Sequence, residues 1–297
     1  MKNYIVTGSA GFVGSHLTNK LIEQGHTVYG VDNLSTGKKE RLNPKAIFIN
    51  KDILEVNGKE MEGQIIHGIF HLAALPRVPF SIEKPFETEL NNVLCTIRVL
   101  EWAKTMKCRV VLSSSSSVYG HNFLEKMPTN ELVPPAPMSP YAWQKLSCEQ
   151  YAQFFYKFHG VDSVCLRYFN IYGTGMSDEG SYVPVMSVFK RQKAAGESLT
   201  IYGSGKQKRD FTHISDVVEA NILAMNCKKE LCGVPFNVGG GNPVSINEVA
   251  DYYSKNRKYL PERPGDPKNT WADITLTEKI LGWKPKVKFK DGIKDIL

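Results

Sequence analysis

The chain has 297 residues, 42% of them hydrophobic and 23% charged, with a net charge of +7. That length accommodates one large α/β domain with a smaller appendage, and the composition excludes a disordered or fibrous chain. No apolar run approaches the about 18 residues of a membrane span, the six cysteines show neither C-x-x-C nor zinc spacing, and Lys and Arg are spread along the chain rather than gathered into a nucleic-acid patch. The expectations are no membrane contact, no metal, no nucleic-acid partner, and free thiols in a reducing cytoplasm.

Tyr4–Val6 reads as a first strand, because the apolar run breaks into glycines too early for a signal peptide. Val13, Leu17 and Leu21, spaced by four, predict a helix that ends at Gly25. Strands are expected at Thr27–Asp32, Ala46–Asn50 and Ile65–Leu72, followed by a helix over 87–106. Arg109–Leu112 predicts a fifth strand running into a serine cluster, then a helix over 141–159 and a strand at Val161–Tyr168. Alternating helices and fully apolar strands predict a parallel sheet covered on both faces, the doubly wound Rossmann-type α/β architecture. After residue 170 the elements shorten, and only the helix near 214–227 and the strand Val234–Val238 regain the regular pattern. The expected organisation is a dinucleotide-binding domain over 1–170, with 210–240 returning to it, and a smaller mixed α/β lobe made mainly of 171–297.

Gly8-Ser9-Ala10-Gly11-Phe12-Val13-Gly14 follows a strand and opens a helix. Glycines there let the backbone turn tightly and approach a pyrophosphate seated on the helix N-terminus. Asp32 closes the second strand, 18 residues beyond Gly14. A carboxylate at that place accepts hydrogen bonds from ribose hydroxyls and repels a 2′-phosphate, which favours NAD over NADP.

Tyr141-Ala142-Trp143-Gln144-Lys145 places a phenol and an ammonium on one helix face. A free tyrosine titrates near pH 10, so it needs positive charge nearby to serve as a base at neutral pH. An ammonium and an oxidised nicotinamide are both positive, and a Tyr between them can take a proton from a sugar hydroxyl while hydride leaves the same carbon. Ser113–Ser117 follows the fifth strand, at the sheet edge where ligands of open α/β sheets gather. One hydroxyl of that run, Ser115, is expected to bond the reacting group, whereas Ser113, Ser114 and Ser116 read as a polar turn.

Gly8-x-x-Gly11-x-x-Gly14, His71-Leu72-Ala73-Ala74, Ser115-x-Ser117-Val118-Tyr119-Gly120, Tyr141-x-x-x-Lys145 and Arg167-Tyr168-Phe169-Asn170 resemble, in this order, the extended short-chain dehydrogenase family, and within it the UDP-hexose 4-epimerases. The resemblance covers about residues 3–290. It implies an NAD site built from Gly8, Gly11, Phe12, Val13, Gly14, Asp32, Asn33, Leu72, Ala73, Ala74, Leu75, Asn92, Tyr141 and Lys145, with Asp52 and Ile53 flanking the adenine and Tyr168 near the nicotinamide. It implies a UDP-sugar site with Ser115 and Ser117 at the sugar. Asn170, Arg209, Arg263 and Asp266 would then serve the diphosphate and ribose, and Tyr202 the uracil. It also implies a homodimer paired through two long helices, here those at 87–106 and 141–159.

Relatives that dehydrate or decarboxylate carry a carboxylate just after the catalytic hydroxyl residue, where this chain has Ser116 and Ser117. A hydroxyl is not basic enough near pH 7 to replace it. The reaction expected is therefore 4-epimerisation of UDP-Glc/UDP-Gal through a 4-keto sugar. Thr270, small and just before Trp271-Ala272-Asp273, stands where the family gates the hexose 2-substituent, so UDP-GlcNAc/UDP-GalNAc are expected to enter as well. The competing readings are an epimerase for another nucleotide-sugar such as a UDP-hexuronic acid, a nucleotide-sugar reductase, and, from a different class, a non-catalytic binding module on the same fold.

Overall fold

A strand exposes alternate residues to opposite faces, and the first strand shows what that does here. In β1 (Asn3–Thr7) Tyr4 and Val6 enter one core while Ile5 enters another on the far side of the sheet. The computed structural model describes residues 1–124, 127–177, 183–262 and 268–297. Its first half continues with α1 (Phe12–Glu23), β2 (Thr27–Val31), β3 (Ile47–Ile49), β4 (Gly68–His71), α2 (Val78–Glu83), α3 (Pro85–Glu89), α4 (Cys95–Met106), β5 (Arg109–Ser115), α5 (Pro140–His159) and β6 (Ser163–Tyr168). The second half holds β7 (Ile171–Tyr172), α6 (Val185–Ala194), β8 (Leu199–Tyr202), β9 (Lys208–Arg209), β10 (Thr212–His213), α7 (Ile214–Asn226), β11 (Val234–Val238), β12 (Val244–Ser245), α8 (Ile246–Asp251), β13 (Arg257–Leu260), α9 (Thr275–Leu281) and α10 (Phe289–Gly292).

Seven parallel strands form one sheet in the order β11-β6-β5-β4-β1-β2-β3. All seven coincide with apolar runs of the sequence, and the architecture is the expected Rossmann-type α/β fold. α1 and α7 bury Leu17, Leu21, Val217 and Ala220 on one face. α4 and α5 bury Val99, Leu100, Ala152 and Phe155 on the other. Strand order reverses between β1 and β4, and the cleft at that switch point opens at the carboxyl ends of the strands. Residues after 170 build a third core, from Tyr172, Phe189, Leu199, Phe211, Val249 and Ile293 among others, around three short strand pairs.

Several boundaries differ from the sequence expectation for identifiable reasons. β5 does not stop at Leu112 but runs through Ser115, because Ser113, Ser114 and Ser115 pair with Leu166, Arg167 and Tyr168 of β6. The expected helix over 87–106 is split by a π turn at Leu90–Leu94. There the Asn92 carbonyl takes the Thr96 hydroxyl at 2.6 Å and the Cys148 thiol at 3.4 Å, and its side chain leaves the helix for Leu75. α5 starts where Ser139 accepts the Ala142 N–H at 3.2 Å with Pro140 behind it. It stops where Gly160 turns left-handed, φ 66°.

Among the described residues no helix is long and apolar enough to cross a membrane, and no group of His, Cys, Asp and Glu could hold a metal ion. All six cysteines are free.

Arg109 ties the returning segment to the sheet. Its Nε donates to Asp162 at 2.7 Å, while its guanidinium gathers the carbonyls of Ala224, Met225, Cys227 and Lys229 at 2.6–3.2 Å, closing the C-terminus of α7. Charge-assisted bonds of this kind are worth about 1.5–3 kcal/mol each in mutational series, and they are not additive. Arg109→Ala should therefore lower unfolding free energy by about 3 kcal/mol in urea titrations. A change under half of that would mean water replaces the guanidinium at little cost.

Candidate active site

The loop after β1 is built for backbone approach. A Cβ on Gly8 would meet the Ala73 backbone N at 2.7 Å, one on Gly11 would meet the Gly8 carbonyl at 3.0 Å, and one on Gly14 would meet it at 2.0 Å. Gly8 also needs its left-handed φ of 70°. Gly11 caps α1 without a side-chain acceptor, so the first-turn N–H groups are left for a ligand. Phe12 and Val13 form that first turn and lean into the core.

Gly8, Gly11, Asp32, Asn33, Asp52, Ile53 and Leu72–Leu75 line one continuous cleft, joined by Ser35, Thr36, Gly37, Lys51, Asn91 and Cys95, which sequence reasoning did not name. Asp32 is fixed by the N–H groups of Ala10 (3.0 Å) and Leu34 (2.8 Å). Asn33 donates to Asp52 at 2.9 Å, and Asp52 caps the following turn through Leu54 N–H at 2.9 Å. Asn92 is buried behind the cleft wall. It accepts from Leu75 N–H at 2.8 Å and donates to Gln144 at 2.8 Å, so it reaches the cleft through Leu75 and ties that loop to α5.

On α5, Tyr141, Lys145 and Glu149 follow one another at four-residue spacing, and all are buried. Ser115, at the end of β5, lies beside the Tyr141 hydroxyl, close enough to lower its pKa, while its own Oγ accepts from Ser117 N–H at 3.1 Å. Burial pushes the Tyr141 phenol up to about 12, and Ser115 pulls the other way. The protein alone thus keeps Tyr141 a neutral phenol at pH 7. Lys145 Nζ lies 5.9 Å from the Tyr141 ring centroid and donates to the Ser113 carbonyl at 2.8 Å and hydroxyl at 3.3 Å. Burial pulls Lys145 below the usual lysine range, opposed by Cys148, Cys165 and Glu149.

Two serines read from the sequence as turn residues have definite partners. Ser113 holds Lys145, and Ser114 donates to Glu149 at 2.5 Å. Glu149 and Arg167 form a bidentate pair at 2.8 and 2.7 Å, each no more than 3% exposed in its side chain, with Arg167 stacked 4.7 Å over Tyr119. Glu149 could have been found from its spacing after Tyr141 and Lys145, whereas the role of Ser114 has no local signal.

Tyr168, paired with Ser115 in the sheet, ends β6 with its hydroxyl on Asn221 at 3.0 Å, and burial raises its pKa. Exposed Asn170 donates to the Asp210 carbonyl (3.0 Å) and to Thr270 Oγ1 (3.3 Å). Thr270 is 4% exposed. Arg209 lies on β9 with Nη1 on the carbonyls of Lys208 and Lys268, and Tyr202 ends β8. Ser117 Oγ is buried without a hydrogen-bond partner. Arg263 and Asp266 fall outside the described residues.

The sequence profile of the NAD dependent epimerase/dehydratase family matches residues 4–239. A putative UDP-glucose 4-epimerase of Methanocaldococcus jannaschii is 36% identical, over 99% of this chain and 96% of its own. The structure superposes with a TM-score of 0.92 on the UDP-N-acetylglucosamine 4-epimerase of Methanobrevibacter ruminantium in complex with UDP-N-acetylmuramic acid, at 36% identity over 99% and 96% of the two chains. It superposes at 0.88 on the UDP-glucuronic acid 4-epimerase of Bacillus cereus in complex with UDP-glucuronic acid and NAD, at 32% identity over 99% and 97%. The chain belongs to the NAD-dependent epimerase/dehydratase family, and its cofactor is NAD. The glycine cradle that any Cβ would fill, the uncapped helix and the anchored Asp32 fit that cofactor.

Removing one partner of a buried ion pair costs about 3–5 kcal/mol, because the other charge is stranded. Glu149→Ala should destabilise the protein by that order in thermal or urea unfolding, whereas Glu149→Met combined with Arg167→Met should recover most of it. Equal losses in both variants would show that packing, and not the stranded charge, sets the cost.

Proposed function

We propose that the protein interconverts UDP-hexose C4 epimers, UDP-Glc/UDP-Gal and also UDP-GlcNAc/UDP-GalNAc, through a 4-keto sugar. The observation that carries this reading is buried Tyr141 beside half-buried Ser115, with Lys145 one helical turn away and no carboxylate at Ser116 or Ser117. NAD held at the glycine loop and Asp32 would supply a reversible hydride acceptor and positive charge. Tyr141 takes the proton of the sugar 4-hydroxyl and returns it, Ser115 holds that oxygen, and Lys145 keeps positive charge beneath the pair. The keto sugar turns over between the two half-reactions, so no net redox change occurs. Asn170, Tyr202, Arg209 and Thr270, with Arg263 and Asp266, serve the nucleotide-sugar from the second lobe, where an arginine fork suits a diphosphate. The small side chain of Thr270 supports admission of an N-acetyl group.

Purified protein without added cofactor should convert UDP-Gal, and Tyr141→Phe should lose about 10²- to 10⁴-fold in kcat. Comparable kcat/KM for the N-acetyl pair supports the Thr270 reading, and strict rejection overturns it. Turnover of UDP-glucuronate alone would transfer the reaction to a hexuronate substrate, and absorbance change at 340 nm on every turnover would identify a reductase.

We also propose a cytoplasmic homodimer. Trp143, Tyr151, Phe154 and Phe158 form an apolar stripe along the face of α5 away from Tyr141, 37–58% exposed, with Phe86 and Leu94 exposed on the neighbouring helices. Such a stripe is large for a lone soluble chain. Phe154→Glu with Phe158→Glu should reduce the mass in sedimentation from twice the 33.3 kDa chain to one, whereas a wild type that sediments as a monomer would overturn the dimer.

A further inference from the structure

Three segments of the second lobe close on a side chain with no part in the chemistry above. Asp210, between Arg209 and Phe211, is fully buried. Its Oδ2 accepts the N–H of Ala272 at 2.9 Å and of Gly241 at 3.3 Å. Its backbone N–H donates to Thr270 Oγ1 at 3.2 Å, and its carbonyl accepts from Asn170 at 3.0 Å. Oδ1 is turned to Gly240 and completes no hydrogen bond of normal geometry.

The chain's one run of three glycines, Gly239-Gly240-Gly241, is shaped to this carboxylate. A Cβ on Gly239 would meet Ala272 Cβ at 2.3 Å and Asp210 Oδ2 at 2.8 Å, and one on Gly240 would meet the Phe211 carbonyl at 2.1 Å. Burying a carboxylate is costly, and among the described residues its hydrogen bonds come from backbone N–H groups. Burial pushes Asp210 up to about 6, against the pull of the Ala272, Gly240 and Gly241 N–H groups. The charged and titratable groups on the surrounding segments are Lys208, Arg209 and His213 on its own stretch, Lys268 and Asp273 flanking Thr270–Ala272, and Glu248, which faces Lys208. The glycine turn and Asn170 carry none, and none of the charged groups contributes to the shift.

We propose that Asp210 is a positioning residue of the nucleotide-sugar site, whose ionised carboxylate draws the glycine turn and the Thr270–Ala272 strip onto Asn170 and Arg209. The proposal rests on the reading of Asn170, Arg209 and Thr270 as the substrate wall. With its folded-state pKa at about 6, above the ordinary carboxylate value, Asp210 costs stability increasingly as the pH rises from that ordinary value to about 6 and in full above about 6, so its ionised form is kept at the expense of the fold. Below that pH the protonated group is a weaker acceptor and the wall loosens. Tyr141, Ser115 and Lys145 stand on the other half of the molecule and do not share in that change.

The test compares wild type and Asp210→Asn between pH 5 and 8, reading KM and kcat and, by calorimetry, the affinity for UDP-glucose, whose diphosphate diester does not titrate in this range. Wild-type affinity should fall about tenfold from pH 7.5 to 5. The variant should bind weakly at every pH with a flat profile, with kcat within about twofold and NAD content unchanged. A flat wild-type profile overturns the proposal, as does a variant that follows the wild-type curve or loses kcat with KM intact. If the variant does not fold, the wild-type binding curve alone decides. A wild type that turns over no UDP-hexose yet loses UDP-glucose on acidification keeps Asp210 in this role and overturns the proposed reaction. A wild type that never binds UDP-glucose overturns the Asp210 proposal too.

Discussion

One carboxylate holds α5 in register with the sheet. Glu149 accepts both forks of Arg167 from β6 and the hydroxyl of Ser114 from β5, and Arg167 stacks on Tyr119, whose hydroxyl donates to Asn237 of β11 at 2.7 Å. Three adjacent strands and α5 are thereby indexed to a single group. A buried ion pair of this kind seldom adds net stability over an apolar replacement. What it adds here is a fixed axial position for α5. A slip of one turn is about 5.4 Å, enough to part Tyr141 from Ser115 and Lys145 from the Ser113 carbonyl.

Most strands of the large sheet were legible because they are short apolar runs buried on two faces, β1 and β4 most clearly, and the phosphate loop because its glycines fall between such a strand and a helix with Asp32 at the end of the next strand. Residues whose importance comes from a distant partner were not. Ser113 and Ser114 look like turn residues until β5 is seen to continue through them, and β5 continues because β6 supplies partners as far as Tyr168. The π turn at Leu90–Leu94 has the same cause. No local pattern says that Asn92 prefers Leu75 and Gln144 to its own helix, since both lie in other segments. Asp210 read as part of an Arg-Asp-Phe stretch, with nothing in the sequence to show that a glycine turn about thirty residues on would close over it.

Asp32 lines the cleft and also holds its loops together. The N–H groups of Ala10 and Leu34 hold it, and the Lys38 N–H donates to the Ala10 carbonyl at 3.0 Å, so the loop after β2 is folded back over the glycine loop. Gly37 completes the closure, because a Cβ there would meet Ala10 at 2.7 Å and Asp32 Oδ1 at 2.8 Å. The acidic end of β2 therefore shapes its side of the cleft, and the two loops that frame it are one unit.

The cleft wall at Leu72–Leu75 is shaped by a chain of hydrogen bonds whose direction can be worked out. Burial, with the charge of Lys145 adding to it, lowers His71 to about 3, so the ring is neutral and has one N–H. Thr96 spends its proton on the Asn92 carbonyl at 2.6 Å, so at His71 Nε2, 3.0 Å away, it must accept. That places the imidazole proton on Nε2 and leaves Nδ1 to accept the Thr7 hydroxyl at 2.8 Å. Thr7 Oγ1 in turn accepts the N–H groups of Leu72 and Ala73, at 3.2 and 3.3 Å, in the cleft wall. Every donor in the sequence from Ala73 to Asn92 points the same way, and Asn92 then holds Leu75 at the far end of the same wall. A charged imidazole would reverse one link and set two donors against each other at Thr7. The buried, neutral His71 ring is thus the state that this arrangement of the wall requires.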